Sequence, residues 1–162
     1  MADGLREKVV AVEAKNVIAI EEAVRPLVGM APWRAELGYA TFLTFEFGSE
    51  LPPETEGVRS HGEWHLWVYG CAWRLERGGR FLAGSADDEE TMRTAVHELV
   101  GRPLSLFNVF APALDATLLF EGDFVLRLFS ESSDMDHWLV FTPDRMVLVA
   151  GPASEWQYVP AD

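Results

Sequence analysis

The 162-residue chain has one cysteine, Cys71, and two lysines, Lys8 and Lys15. A lone cysteine excludes an intramolecular disulfide and any metal site built from several thiolates, and it is compatible with a reducing cytosol. With 13 basic residues against 26 acidic ones, scattered singly, the footprint of a nucleic-acid binder is missing. No apolar run approaches the roughly 20 residues that span a bilayer, and the opening Met1–Lys8 has no apolar signal segment. Catalytic templates are missing too. There is no Gly-x-Ser-x-Gly elbow and no glycine loop to cradle phosphate, and Asp134-Met135-Asp136 lacks the glycine and distal glutamate of a calcium loop. These absences predict a soluble, cytoplasmic protein that binds neither nucleic acid nor membrane. They assign no catalytic residue and call for no cofactor.

What is present is a core and a charge. Hydrophobic residues make up 49% of the chain, with ten Phe and six Trp, enough for a globular domain that needs no staples. The net charge of −13 is uneven: residues 1–85 hold 12 acids and 9 bases, residues 86–162 hold 14 acids and 4 bases. Such a field repels nucleic acid and anionic membranes and speeds the approach of a basic partner, although acidic surfaces also serve solubility alone.

Three segments recur in order. Ala23, Val24, Leu27, Val28 and Gly29 return as Ala95, Val96, Leu99, Val100 and Gly101, a shift of 72 residues. The same shift carries His65–Tyr69 onto His137–Phe141, and Leu82–Ala86 is echoed by Val149–Ala153. Ordered echoes of this kind predict a duplicated unit.

The local patterns agree with that reading. Val17, Ile20, Val24 and Leu27 follow helical spacing, Pro26 forces a kink or an early end, and Gly29 terminates the helix. Phe42–Phe47 alternates as a half-buried strand, 49–62 is a Pro/Gly-bearing loop, and one long strand is expected from Glu63 to Glu76. Arg77-Gly78-Gly79 turns it back as Arg80–Gly84. Ser85 is placed to cap a second helix whose first turn is acidic and whose stripe is Met92, Ala95, Val96, Leu99 and Val100. Strands follow at Leu104–Phe110, Ala116–Phe120, Phe124–Phe129, His137–Phe141 and Met146–Ala150, with Trp156–Val159 as a terminal edge. The expected fold is α+β: a single domain over 1–162, built from two tandem helix-plus-antiparallel-meander units at about 16–85 and 86–159 under a pseudo-twofold.

Candidate sites centre on His61-Gly62-Glu63-Trp64-His65. In an extended strand His61, Glu63 and His65 share one face, and two imidazoles with a carboxylate suit zinc or non-haem iron. The structural alternative, a solvated His61 and a His65 bonded at the core edge, carries more weight, so no metal site is assigned. The face continues through Trp67 and Tyr69. With His137, the counterpart of His65, and Trp138, these residues outline an aromatic ligand groove between the units. Core packing is the more usual use of such rings. His137 lies beside Asp134 and Asp136, an arrangement that favours the imidazolium. Cys71 reads as a small apolar residue, Gly70 marks a bulge or a close backbone approach, and Trp138 and Trp156 are candidates for a self-interface.

Phe42–Gly48, Trp64–Tyr69 with Trp73-Arg74, Leu118–Gly122 and His137-Trp138 give the chain a resemblance to a group of small uncharacterised bacterial proteins, running from about Leu27 onward. Proteins of this kind are similar in composition and layout to immunity proteins that neutralise contact-dependent toxins. The resemblance implies no catalytic residue. The functional expectation is therefore a soluble acidic interaction protein without catalysis, of immunity type, that captures a basic protein, with a homodimer left open. The alternative is a small-molecule-binding protein or metal-assisted enzyme that uses the aromatic and histidine groove.

Overall fold

A computed structural model describes residues 14–161. Helix α1 covers 14–24 and tightens into a 3-10 turn at Arg25–Leu27, where Pro26 occupies an early position that needs no donor. Ile20, Val24 and Leu27 are buried, which confirms the helical stripe. Eleven strands follow: β1 Arg34–Leu37, β2 Leu43–Leu51, β3 His61–Val68, β4 Cys71–Arg77, β5 Arg80–Gly84, β6 Leu104–Phe110, β7 Asp115–Phe120, β8 Phe124–Ser130, β9 Trp138–Phe141, β10 Met146–Ala150 and β11 Trp156–Pro160. Helix α2, Glu89–His97, lies between β5 and β6.

The strands form two antiparallel sheets, six-stranded in the order β1-β2-β3-β9-β10-β11 and five-stranded in the order β5-β4-β8-β7-β6. The fold is thus α+β with antiparallel pairing, as expected. The two sheets share one buried cluster, in which Trp73, Trp138, Phe45, Phe47, Phe120 and Phe124 are the largest sealed side chains. Helix α2 lies against β1 of one sheet and β5 of the other.

Two expectations are corrected. The strand expected from Glu63 to Glu76 breaks at Tyr69-Gly70, where the chain leaves the first sheet for the second. The N–H groups of Tyr69 and Gly70 donate to His137 O and Asp136 O, and a Cβ at Gly70 would overlap Asp136 O. The burial phase inverts there: Trp64, Leu66 and Val68 point inward before the break, Cys71, Trp73 and Leu75 after it. The second correction concerns the cap of α2, which is Asp88 rather than Ser85. Asp88 accepts from Thr91 N, while the Ser85 hydroxyl accepts from Trp73 N and the Asp87 carboxylate accepts from Gly84 N. Both upstream side chains are consumed by the β5–α2 turn.

Candidate functional site

The outward face of the six-stranded sheet carries the most unusual chemistry. In β3 the strict alternation leaves His61, Glu63, His65 and Trp67 on that face, with Tyr69 just beyond. Opposite them stand Thr44 and Glu46 of β2 on one side, Leu139 and Phe141 of β9 on the other. A continuous row of rings results. Phe42 and Tyr69 lie 4.5 Å apart, Tyr69 and Trp67 5.7 Å, Trp67 and His65 6.3 Å, and His65 and Phe141 5.5 Å. All are half-buried. Val147 and Val149 of β10, beside Phe141 and Leu139, are buried yet lie outside the inter-sheet core, sealed by this outer apolar layer.

At the centre sits a carboxylate. Glu46 is 3% exposed; its Oε2 accepts from Gly62 N at 2.8 Å and its Oε1 meets His65 Nδ1 at 2.5 Å. Local structure makes the first bond: a β-bulge between Phe47 and Glu50 brings β2 against Gly62 so closely that a Cβ there would overlap the Phe47 backbone. A carboxylate on Nδ1 fixes the imidazole's orientation and tautomer. Nε2 is then the ring's remaining polar atom, and it has no partner among the described residues. The histidine side chain stays 20% exposed.

The candidates from sequence therefore separate. His65, Trp67 and Tyr69 come together as one surface. His137 and Trp138 are buried at the corner between the sheets. The His137 ring packs over Gly151, its Nε2 meets Ser132 O at 3.0 Å, and neither Asp134 nor Asp136 pairs with it. Trp138, fully enclosed, donates Nε1–H to Leu114 O at 2.9 Å, which removes it from any surface interface in this conformation. The shared groove expected between the units is thus not lined by these five residues. A shallow hollow of about 440 Å³ lies elsewhere, against Gly78, Gly79, Ser105 and the 119–125 segment. His61 Nδ1 lies 2.9 Å from the O of the adjacent Gly62, and among the described residues no three His, Cys, Asp or Glu side chains approach closely enough to hold a metal ion. Burial pushes the Cys71 thiol up to about 12, so at neutral pH it is a protonated apolar filler.

Sequence reasoning missed Glu46, Phe42, Leu139 and Phe141. Glu46 did leave a signal, a charge between Phe45 and Phe47. Its burial, however, depends on strand partners distant in sequence.

On the β1 side Arg34 stands opposite Glu46 and Arg59 pairs with Glu36, whereas the Tyr69 end of the ring row carries negative charge. The 131–136 loop reaches the Tyr69 end through the Gly70–Asp136 backbone bond, and Glu131, Asp134 and Asp136 form no ion pair among the described residues. The outward face of the five-stranded sheet differs. There Glu76 Oε2 accepts from Arg74 Nε at 2.8 Å and Arg127 Nε at 2.7 Å. Arg127 first, then Arg74, holds this carboxyl below its ordinary 4.5. A depressed carboxyl pKa contributes stability that is complete above 4.5 and lost as the pH falls through the lowered folded value. Glu76→Gln should therefore flatten the acid limb of a stability-against-pH curve measured by urea denaturation. An unchanged acid limb in that variant would show that the two arginines do not act on stability through Glu76.

No family model matches the chain, and no curated protein or solved structure is detectably similar to it. Among the described residues no helix is long and apolar enough to cross a membrane. What fold and site define together is a two-sheet α+β protein with one aromatic outer face and an acidic loop at the Tyr69 end of that face.

Proposed function

We propose that the protein is an acidic cytoplasmic interaction module without catalysis, whose aromatic sheet face docks a basic protein. An immunity-type role, the neutralisation of a cationic toxin, suits this surface. The observation that carries the reading is the row from Phe42 to Phe141, with the carboxylates of Glu131, Asp134 and Asp136 at its Tyr69 end in no ion pair among the described residues. Large half-exposed rings are the usual energetic anchors of interfaces, and a charged rim governs partner choice and rate of capture. The same rim opposes a second copy of this chain, which would bring like charges together.

Gene duplication is the architectural half of the proposal. Strands β1–β3 join the six-stranded sheet and β4–β5 the other, while β6–β8 and β9–β10 repeat that order with the sheets exchanged. Gly29 N donates to Leu104 O and Gly101 N to Pro32 O, reciprocal bonds under the shift of 72 residues. Trp73 Nε1 donates to Thr41 O as Trp138 Nε1 donates to Leu114 O, each reaching the turn of a corresponding hairpin. These pairings favour a pseudo-twofold between the halves. They equate β3 with β8 rather than β9, so the echo of His65 in His137 joins two strands that are hydrogen-bonded neighbours.

Capture from cells that make the protein tests the docking reading. Wild type should retain a basic protein at low salt and release it at high salt. Trp67→Ser with Tyr69→Ser should abolish retention, and Asp134→Asn with Asp136→Asn should weaken it about tenfold or more. Salt-insensitive capture, or capture unaffected by the aromatic substitutions, overturns it.

A further inference from the structure

On the second sheet's outward face the register places Arg74 of β4 directly opposite Arg127 of β8, Arg127 opposite Thr117 of β7, and Thr117 opposite Asn108 of β6. Two guanidiniums, a hydroxyl and a carboxamide thus form a straight row of donors across four strands. Like charges directly opposite one another are unfavourable in a sheet. Among the described residues Glu76 is the one carboxylate that pairs with them, and it uses a single oxygen, Oε2, for both Nε atoms.

That arrangement gathers two guanidiniums on one sheet face of a chain of net −13. It also fixes both guanidiniums by their Nε edges, while their terminal nitrogens find no hydrogen-bond partner among the described residues. The Arg74 guanidinium is further held over the Phe129 ring at 5.3 Å. Asp115, one row away, accepts from Ser130 N at 2.7 Å and forms no ion pair with either arginine. The arginine side chains remain 40% and 38% exposed, so a ligand can reach them.

We propose that Arg74 and Arg127 form a binding site for a small oxyanion, a carboxylate or phosphate group, with Thr117 and Asn108 as neutral donors on one flank. Planar guanidinium forks match the two oxygens of such groups, and an ammonium does not reproduce that geometry. Val125, Leu119 and Phe129 border the row and would carry an apolar portion of the ligand. This site is on the opposite sheet from the proposed docking face, and neither proposal depends on the other.

The test is a titration of the intact protein with inorganic phosphate and, separately, acetate, reading the arginine Nε–H resonances. Arg74 and Arg127 should shift together and saturate, with a dissociation constant on the order of 1 mM. Saturation by both anions assigns a carboxylate-tolerant site, and saturation by phosphate alone assigns a phosphoryl ligand. Arg127→Lys, which keeps the charge and should keep the fold, is expected to weaken binding about tenfold. Arg74→Lys should do the same. Non-saturating drift equal to that of exposed Arg25 and Arg145, an adventitious ion only, overturns the proposal. So does full affinity in either lysine variant.

Discussion

Replacement of Trp138 by alanine is expected to lower stability by about 3–5 kcal/mol, the usual cost of removing a buried indole and leaving its cavity. The residue is fully enclosed, its ring lies 5.2 Å from Phe107, and its Nε1–H is the donor for Leu114 O. Loss of that donor strands a buried carbonyl and adds about 1–3 kcal/mol if water cannot reach it. For a chain of this size the melting temperature should fall by about 10–20 °C. Trp138→Phe isolates the two contributions, because it refills most of the cavity without the donor, and a loss of about 1–3 kcal/mol is expected from it. Trp73→Ala should resemble Trp138→Ala, since Trp73 is equally sealed and donates to Thr41 O at 2.8 Å. Urea denaturation of the three variants measures all of this. A loss under about 1 kcal/mol for Trp138→Ala would mean that the inter-sheet corner is not closed as described.

The two tryptophans also mark where sequence reading succeeds and where it stops. Short strands bounded by Gly, Pro or Asp-Arg turns were legible, because turn chemistry and period-two burial are both local. So was α2, whose acidic first turn and apolar stripe agree. The corner at Gly70 was not. Odd-numbered positions are apolar on both sides of it, Trp67 and Tyr69 outside the first sheet, Cys71 and Trp73 inside the second. A reading by alternation therefore runs straight through, and only the missing Cβ of Gly70 betrays the change of sheet. The same ambiguity made core packing the favoured reading of Trp67 and Tyr69, which lie on the outer face instead. Tryptophans at strand spacing are core in Trp64 and Trp73 and surface in Trp67, and composition cannot distinguish them.

The outward faces of the two sheets carry different chemistry. Trp67 with Thr44 and Leu139 forms a row on the first sheet; Arg127 with Thr117 and Arg74 forms one on the second. If the halves descend from one unit, these rows occupy corresponding strands and have diverged, one toward rings and the other toward guanidiniums. The inward rows, by contrast, stay apolar in both sheets because they share one core.

The Glu46–His65 pair separates binding from folding at the docking face. His65→Ala leaves a buried carboxylate with Gly62 N–H as its one hydrogen bond among the described residues. Removing one partner of a buried pair costs about 3–5 kcal/mol, and a loss near the lower end is expected because the His65 ring is partly exposed. Replacing both partners by apolar residues of similar volume, Glu46→Met with His65→Phe, should return stability to within about 1 kcal/mol of wild type, since no charge remains to be compensated. Gly62 N then loses its acceptor, which sets the residual deficit. Urea denaturation at neutral pH reads each variant. The double variant keeps the fold and most of the aromatic area but deletes the polar anchor at the centre of the row. Captured basic partner should therefore be lost from a stable protein. A double variant as unstable as His65→Ala would show that the pair specifies the strand register itself, and a stable double variant that still binds would remove His65 from the docking surface.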